Sequence, residues 1–288
     1  MKVGFIGLGI MGAPIAANML KSGYDLTVYN RDRRKCEPLA EAGASIADDL
    51  GDLADVDVLV TMVTGDDALT DIFLTRGLAA ALKPGAIHLS CSTISVAIVE
   101  RLREAFGDRN ALVAAPVVGR SDRAAARTLG VIMSGPADAK AVCRPLMETT
   151  SSRIFDLGDE PGAAVAAKIA NNFMIGATIE MLAEAFSITD RHGVARAEFL
   201  DFLTQTLFAA PIVRIYGDLI LGETFEPAGS PLAIGIKDML LATDVAEGAG
   251  RTLPFADTVL RNLRAADTAG HGKADWAILG SRDLQWLR

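Results

Sequence analysis

The chain opens Met1-Lys2-Val3-Gly4-Phe5-Ile6-Gly7-Leu8-Gly9-Ile10-Met11-Gly12, a short apolar run followed by three glycines at G-x-G-x-x-G spacing. No other stretch constrains the fold as tightly. Glycines so placed let a chain leave a strand in a tight turn, bring its backbone close to a pyrophosphate, and start a helix whose N–H groups and dipole face that anion. The motif by itself is weak, because turns alone would use some of the 27 glycines present. Its context strengthens it. Residues 13–21 are helix-compatible, with Pro14 tolerated in a first turn and Gly23 marking the end, and 25–29 make a second strand-like run. The result is one strand-helix-strand unit of about thirty residues, the size that dinucleotide binding requires. Gly7, Leu8, Gly9, Ile10, Met11 and Gly12 are the first candidate cofactor contacts.

With 288 residues, 50% of them hydrophobic, the chain has enough apolar material for about two domains. Up to about residue 159, strand-like runs at 57–63, 86–89, 112–115, 131–133 and 153–155 alternate with helix-like segments. Such alternation predicts a mostly parallel sheet covered by helices on both faces. Ligands bind beyond the carboxyl ends of such strands, so loops starting at Gly7, Asn30, Val63 and Ser90 are expected on one crevice. Val63 and Thr64 join the candidate contacts on that ground. After Pro161 the strand-like runs stop. Residues 162–191 read as one long helix, and further amphipathic helices are expected at 196–207, 212–221, 232–247, 255–266 and 274–287. The fold class is therefore α/β, with a dinucleotide-binding domain at 1–161 and an all-helical domain at 162–288 that begins with the long helix.

Composition removes several function classes. A net charge of -8 supplies no basic surface for nucleic acid, and no uncharged apolar run is long enough to span a membrane. Cys36, Cys91 and Cys143 are odd in number and far apart, which suggests neither disulfides nor zinc and fits a reducing cytoplasm. Lys2 and the apolar residues after it resemble a signal peptide only superficially, since glycines and Pro14 interrupt them. His88, His192 and His271 form no metal-ligand cluster, so no metal is expected.

Four places carry candidate chemistry. After the second strand, where an acidic residue would bond the ribose of NAD, the chain has Asn30-Arg31-Asp32-Arg33-Arg34. A carboxylate would repel a 2′-phosphate, whereas Asn30 and Arg31 can bond one, so NADP is favoured with NAD still possible; a solvated helix start is the alternative. Lys168 is the one charge in an apolar helical stretch, with Asn171 and Asn172 three and four residues on. In a dry cleft it could donate a proton while the asparagines fix it or a substrate; otherwise it covers apolar surface with its stem. At Ala115-Pro116-Val117-Val118-Gly119-Arg120 a strand ends in a turn whose N–H groups, with Arg120, could hold a carboxylate, or which is structural with a surface arginine. Ser90, Ser92 and Thr93 could donate hydroxyls to a ribose or nicotinamide, although helix capping by Ser92 or Thr93 is the commoner use, and Lys237-Asp238 taken alone reads as a surface pair.

Taken together, these segments resemble the β-hydroxyacid dehydrogenases, which include 3-hydroxyisobutyrate dehydrogenase and the glyoxylate and succinic semialdehyde reductases. The carriers are the glycine run with Tyr29-Asn30-Arg31, Ser92-Thr93-Ile94-Ser95, Ala115-Pro116-Val117-x-Gly119, Gly162 through Lys168 to Asn171-Asn172, Lys237-Asp238 and Asp275-Trp276. The resemblance implies a Rossmann domain followed by an interdomain helix and a helical domain, with assembly as a homodimer or homotetramer. It makes Lys168 the catalytic acid and base, has Asn172 orient the substrate, puts Thr93 and Lys237 near the nicotinamide, and has Val117 to Gly119 line the carboxylate site. Where the family has Asp-Ala-Pro-Val-Ser-Gly-Gly, this chain has Ala114, Val118 and Arg120 at the acid, serine and second glycine. The expected activity is hydride transfer between NADP(H) and a small hydroxy acid or its aldehyde. An imine reductase and a non-catalytic NADP-binding protein are the alternatives.

Overall fold

The computed structural model describes residues 1–287, with side chains described through residue 284. Six strands, β1 (Lys2–Ile6), β2 (Asp25–Tyr29), β3 (Ser45–Ile46), β4 (Val58–Thr61), β5 (Ile87–Ser90) and β6 (Ala111–Ala114), form one sheet in the order β3-β2-β1-β4-β5-β6. Every neighbouring pair is parallel. All carboxyl ends therefore lie along one edge, and the strand order reverses beside β1, where α/β sheets open a crevice. β4 and β5 are buried at every residue, as strands covered on both faces must be. The helix Gly12–Lys21 returns from β1 to β2 and buries Ile15, Ala16 and Met19 in the core that contains Val3, Phe5 and Val28.

Beyond β6 the structure departs from the single sheet expected. Strands β7 (Val117–Val118), β8 (Leu129–Met133) and β9 (Ser151–Asp156) form a separate three-stranded sheet in which β7 is antiparallel to β8 and β8 parallel to β9. Pro116 has no N–H to continue the first ladder, so the chain turns there. An isolated bridge between Ala114 and Ser134 joins the two sheets.

The long helix runs Pro161–Asp190 and is 30 residues in length. Its start is fastened by Ser134, whose Oγ donates to the Pro161 carbonyl and accepts from the Ala164 N–H, both at 2.9 Å. The chain divides into two compact units, 1–168 and 169 onward, with the line falling inside this helix. Ala164 and Val165 are buried and fastened with the first unit, although the strand pattern ends before Pro161.

In the second unit the helices Arg196–Gln205, Pro211–Leu221, Leu232–Gly248 and Pro254–Ala266 lie where the amphipathic pattern puts them. They pack on the long helix's second half through a core that includes Ile179, Phe186, Leu200, Ile220 and Leu263. The helix expected at 274–287 is absent. Two 3₁₀ segments, Trp276–Gly280 and Arg282–Leu287, stand there instead. Asp275 holds the first of them, its carboxylate accepting from the N–H groups of Ala277, Gly229 and Ser230. Trp276 donates its indole N–H to Tyr216 at 2.9 Å. Every residue of Trp276–Gly280 is buried, so no amphipathic face exists to support a helix. Among the described residues, no helix is long and apolar enough to cross a membrane.

Candidate active site

The glycine turn shows three different reasons for three glycines. Gly7 sits at φ +101°, where a side chain would strain the backbone and a Cβ would run into the Met62 carbonyl. A Cβ on Gly12 would collide with the Gly7 carbonyl. Gly9 has nothing within 4 Å of its Cβ position. The outer two glycines are thus required by the chain itself. The middle one leaves open space at the start of the helix Gly12–Lys21, where unpaired N–H groups and the helix dipole favour an anion. A pyrophosphate fits that space. Ile10 stands 68% exposed on the same turn, while Leu8 is buried beneath it.

Asn30 is used differently from the expectation. Its Oδ1 accepts from the Leu8 N–H at 2.9 Å and its Nδ2 donates to the Asp32 carbonyl at 3.0 Å, so the amide braces the glycine turn from inside. Arg33 pairs with Asp48 and Arg34 with Asp32, whose carboxyl is held below its ordinary range by the hydrogen bond from that guanidinium. Arg31 is exposed and enters no ion pair among the described residues. Of these three guanidiniums it is the one outside an ion pair among the described residues.

The next two crevice loops are tied to each other. The Val63 N–H donates to Ser92 Oγ at 2.9 Å, and the Ser95 N–H to Asp66 Oδ1 at 2.9 Å. Ser95 Oγ accepts from the Ile98 N–H, so Ser95 caps the helix Val96–Phe106, the task expected of Ser92 or Thr93. Ser92 is a brace, and Thr64 and Thr93 remain on the rim, exposed and half-buried. After β6, Val117 is buried, Val118 half-buried, and Gly119 adopts φ +136° with Leu129 2.8 Å from its Cβ position. Arg120 follows, directly before the short helix Ser121–Ala125.

Lys168 is only 9% exposed, and Asn171 and Asn172 follow it on the same helix, the latter one turn on and buried. Asn171 Nδ2 donates to Asn172 Oδ1 at 3.1 Å, and Asn172 Nδ2 donates to Asp238 Oδ2 at 2.6 Å. Lys237 Nζ lies 2.9 Å from Asp238 Oδ1. Asp238 is therefore no surface residue. At 2% exposure it is a buried carboxylate that fixes the Asn172 amide. A signal for this was available, because Gly235, Asp238, Met239 and Ala242 share one buried helical face.

Other reactive side chains are held out of use. The three cysteines are free and buried, and burial pushes the Cys91 thiol up to about 12 and that of Cys143 higher still, so neither is a thiolate nucleophile at neutral pH. Among the described residues no group of three His, Cys, Asp or Glu side chains could hold a metal ion.

Open space at a helix N-terminus beside the switch point of a parallel sheet is the geometry of a dinucleotide-binding domain, and the comparisons make the class a nicotinamide-dinucleotide-dependent oxidoreductase. Residues 2–158 match the family model for the NAD-binding domain of 6-phosphogluconate dehydrogenase. Residues 162–280 match that for the NAD-binding part of NADP-dependent 3-hydroxyisobutyrate dehydrogenase. The chain is 40% identical to the uncharacterized oxidoreductase YfjR of Bacillus subtilis, covering 97% of this chain and 98% of the relative. It is 30% identical to the 3-hydroxyisobutyrate dehydrogenase of Pseudomonas aeruginosa, over 95% and 93% of the two chains. The solved structure of Mycobacterium tuberculosis 3-hydroxyisobutyrate dehydrogenase with L-serine superposes with a TM-score of 0.87 at 26% identity, covering 96% of this chain and 97% of that one. The chain belongs to the β-hydroxyacid dehydrogenase family and uses NAD(P).

Proposed function

We propose that the protein transfers hydride between NADP(H) and a small β-hydroxy acid or the corresponding aldehyde or keto acid, with Lys168 moving the proton. One observation carries this reading: a buried lysine stands one helical turn before an asparagine whose amide is fixed by a buried carboxylate. The nicotinamide, when bound, supplies or accepts the hydride. In reduction, the Lys168 ammonium bonds the carbonyl oxygen and gives it a proton; in oxidation, the neutral amine takes the hydroxyl proton. An amide NH₂ has two hydrogens, so Asn172 bonds Asp238 with one and keeps the other for a substrate oxygen. The residues suited to hold the dinucleotide are Gly7 to Gly12, Arg31, Val63, Thr64, Thr93 and Lys237, with Asn30 bracing the turn.

NADP preference is supported by the exposed Arg31 guanidinium, together with the neutral Asn30 where a carboxylate would repel a 2′-phosphate. The turn Val117 to Arg120 takes the substrate's acid end. Val118 and Arg120, replacing a serine and a glycine, favour a bulkier or more anionic substrate than a short 3-hydroxy acid. Met174, Met181 and Ile188 are exposed at seven-residue spacing on the long helix, an apolar stripe that suits assembly with a second copy as a homodimer or homotetramer. Free thiols fit a reducing compartment such as the cytoplasm.

The test is NADPH and NADH oxidation against glyoxylate, succinic semialdehyde and methylmalonate semialdehyde, with the reverse assay on hydroxy acids. NADPH turnover is expected. Lys168→Ala should lower kcat by roughly 10²–10⁴-fold with cofactor affinity kept. Arg31→Ala should weaken NADPH about tenfold or more while leaving NADH unchanged. Full activity in Lys168→Ala would reject the proton-transfer role, and equal losses for both cofactors would reject the phosphate role.

A further inference from the structure

Asn18 is a polar residue in an apolar place. It lies in the helix Gly12–Lys21 beside Ile15, Ala16 and Met19, and is itself 3% exposed. Burying an amide there is costly unless its hydrogen bonds are replaced. They are, and every partner comes from far along the chain. Asn18 Nδ2 donates to the Ala124 carbonyl at 2.8 Å and approaches Thr150 Oγ1 at 3.3 Å, and Arg127 Nε donates to Asn18 Oδ1 at 3.4 Å. Ala124 belongs to the short helix that Arg120 opens, and Arg127 ends the same excursion in a left-handed conformation at φ +60°.

We propose that Asn18 is a positioning residue, which sets the substrate-binding turn at 117–120 in register with the helix whose first turn receives the dinucleotide. This rests on the reading of Val117 to Arg120 as the acid-binding turn. The argument is one of rigidity. Strand β7 is two residues long and gives the turn little support of its own. Arg127, a non-glycine residue in the left-handed region, holds a conformation that its surroundings must maintain. Asn18 meets the returning half of this segment twice, through Ala124 in the helix that follows the turn and through Arg127 beyond it. It sits six residues after Gly12, so about 9 Å of straight helix separates it from the anion-receiving end. Hydride transfer needs the acid end of the substrate at a fixed distance from the cofactor, and one helix bonded at both places supplies that distance.

The experiment compares wild type with Asn18→Leu, which keeps the branched shape and removes all three bonds. A second variant, Arg127→Gly, suits the left-handed backbone and removes a single bond, so it keeps the test alive if the first fails to fold. The measurements are the NADPH dissociation constant by fluorescence, kcat and KM for a carboxylate-bearing aldehyde and for an uncharged one, and amide hydrogen exchange. Asn18→Leu should raise KM for the carboxylate substrate about tenfold. NADPH affinity and KM for the uncharged aldehyde should stay at wild-type values, and exchange should rise selectively at 117–128. Arg127→Gly should move the same quantities in the same direction by less. Arg120→Ala added to Asn18→Leu should cost little more. Equal KM changes for both aldehydes, an equal loss of NADPH affinity, unchanged exchange at 117–128, or independent effects of the two substitutions would each overturn the proposal. A wild type that turns over no acid would reject the acid-site reading and this inference with it. A wild type active on acids beside variants that behave identically would reject this inference alone.

Discussion

His88 is an imidazole set into the six-stranded sheet, on β5 between Phe73 and Phe106, and burial pushes its pKa down to about 3. Its Nε2 lies 2.9 Å from Thr61 Oγ1. In the unfolded chain the ring titrates near 6.5, so only the unfolded state takes up a proton as pH drops below that value. The contribution of neutral His88 to stability is complete above about pH 6.5 and is lost as pH falls from there toward about 3, at up to ~1.4 kcal/mol per pH unit. Urea unfolding at pH 7 and pH 5 should show wild type losing about 2 kcal/mol more than His88→Gln over that interval. Parallel losses would refute the assignment. At this scale the sequence is legible where a residue contradicts its neighbours, as Lys168 does in an apolar helix. It is not legible where a distant partner decides. Asp238 beside Lys237 reads as two solvated charges; the face it shares with Met239 and Ala242 hints at its burial, but its partner Asn172, 66 positions away, is not legible. Asn30 is recognisable as a residue type, but its bond to Leu8 follows from the turn being closed in space.

The glycine turn yields a prediction that separates folding from binding. Gly12→Ala places a methyl against the Gly7 carbonyl and should destabilise the protein by about 1–3 kcal/mol or more, seen as a lower melting temperature without cofactor. Gly9→Ala fills open space and should leave the melting temperature alone while weakening NADPH binding. Equal effects of the two on melting would mean that the turn is not shaped as described. Of the strands up to β6, all but β3 were readable because apolar runs bounded by turn residues have few other solutions; β3, two residues long at Ser45–Ile46, is too short to leave such a run. The change to a second sheet was less readable: Pro116 announces a break, but nothing local says that β7 will pair backward onto β8. The segment 274–287 misleads for a related reason, since its apolar residues have helical spacing but those at 276–280 are buried one after another, where the Asp275 bonds override helical preference.

At the scale of the whole chain, two compact units meet within one helix, and we propose that the first is complete only when it carries that helix's opening turns. A chain of residues 1–168 should melt cooperatively and at a higher temperature than a chain of residues 1–160. The shorter one lacks the Pro161 and Ala164 groups that Ser134 bonds, and the buried Ala164 and Val165 side chains. Identical melting would place the boundary at the start of the helix. The composition change after Pro161 marks where strands end, but the fastening of a helix to one unit depends on Ser134 and is invisible to periodicity. The turn at 117–120 hangs from the three-stranded sheet, whereas the glycine turn and the stitched loops at Val63 and Ser92 hang from the six-stranded one. In heritable terms, the molecule keeps its two vocabularies in separate places. If the turn at 117–120 takes the acid as proposed, a lineage can revise codons 118 and 120 without rewriting the lines that shape the glycine turn.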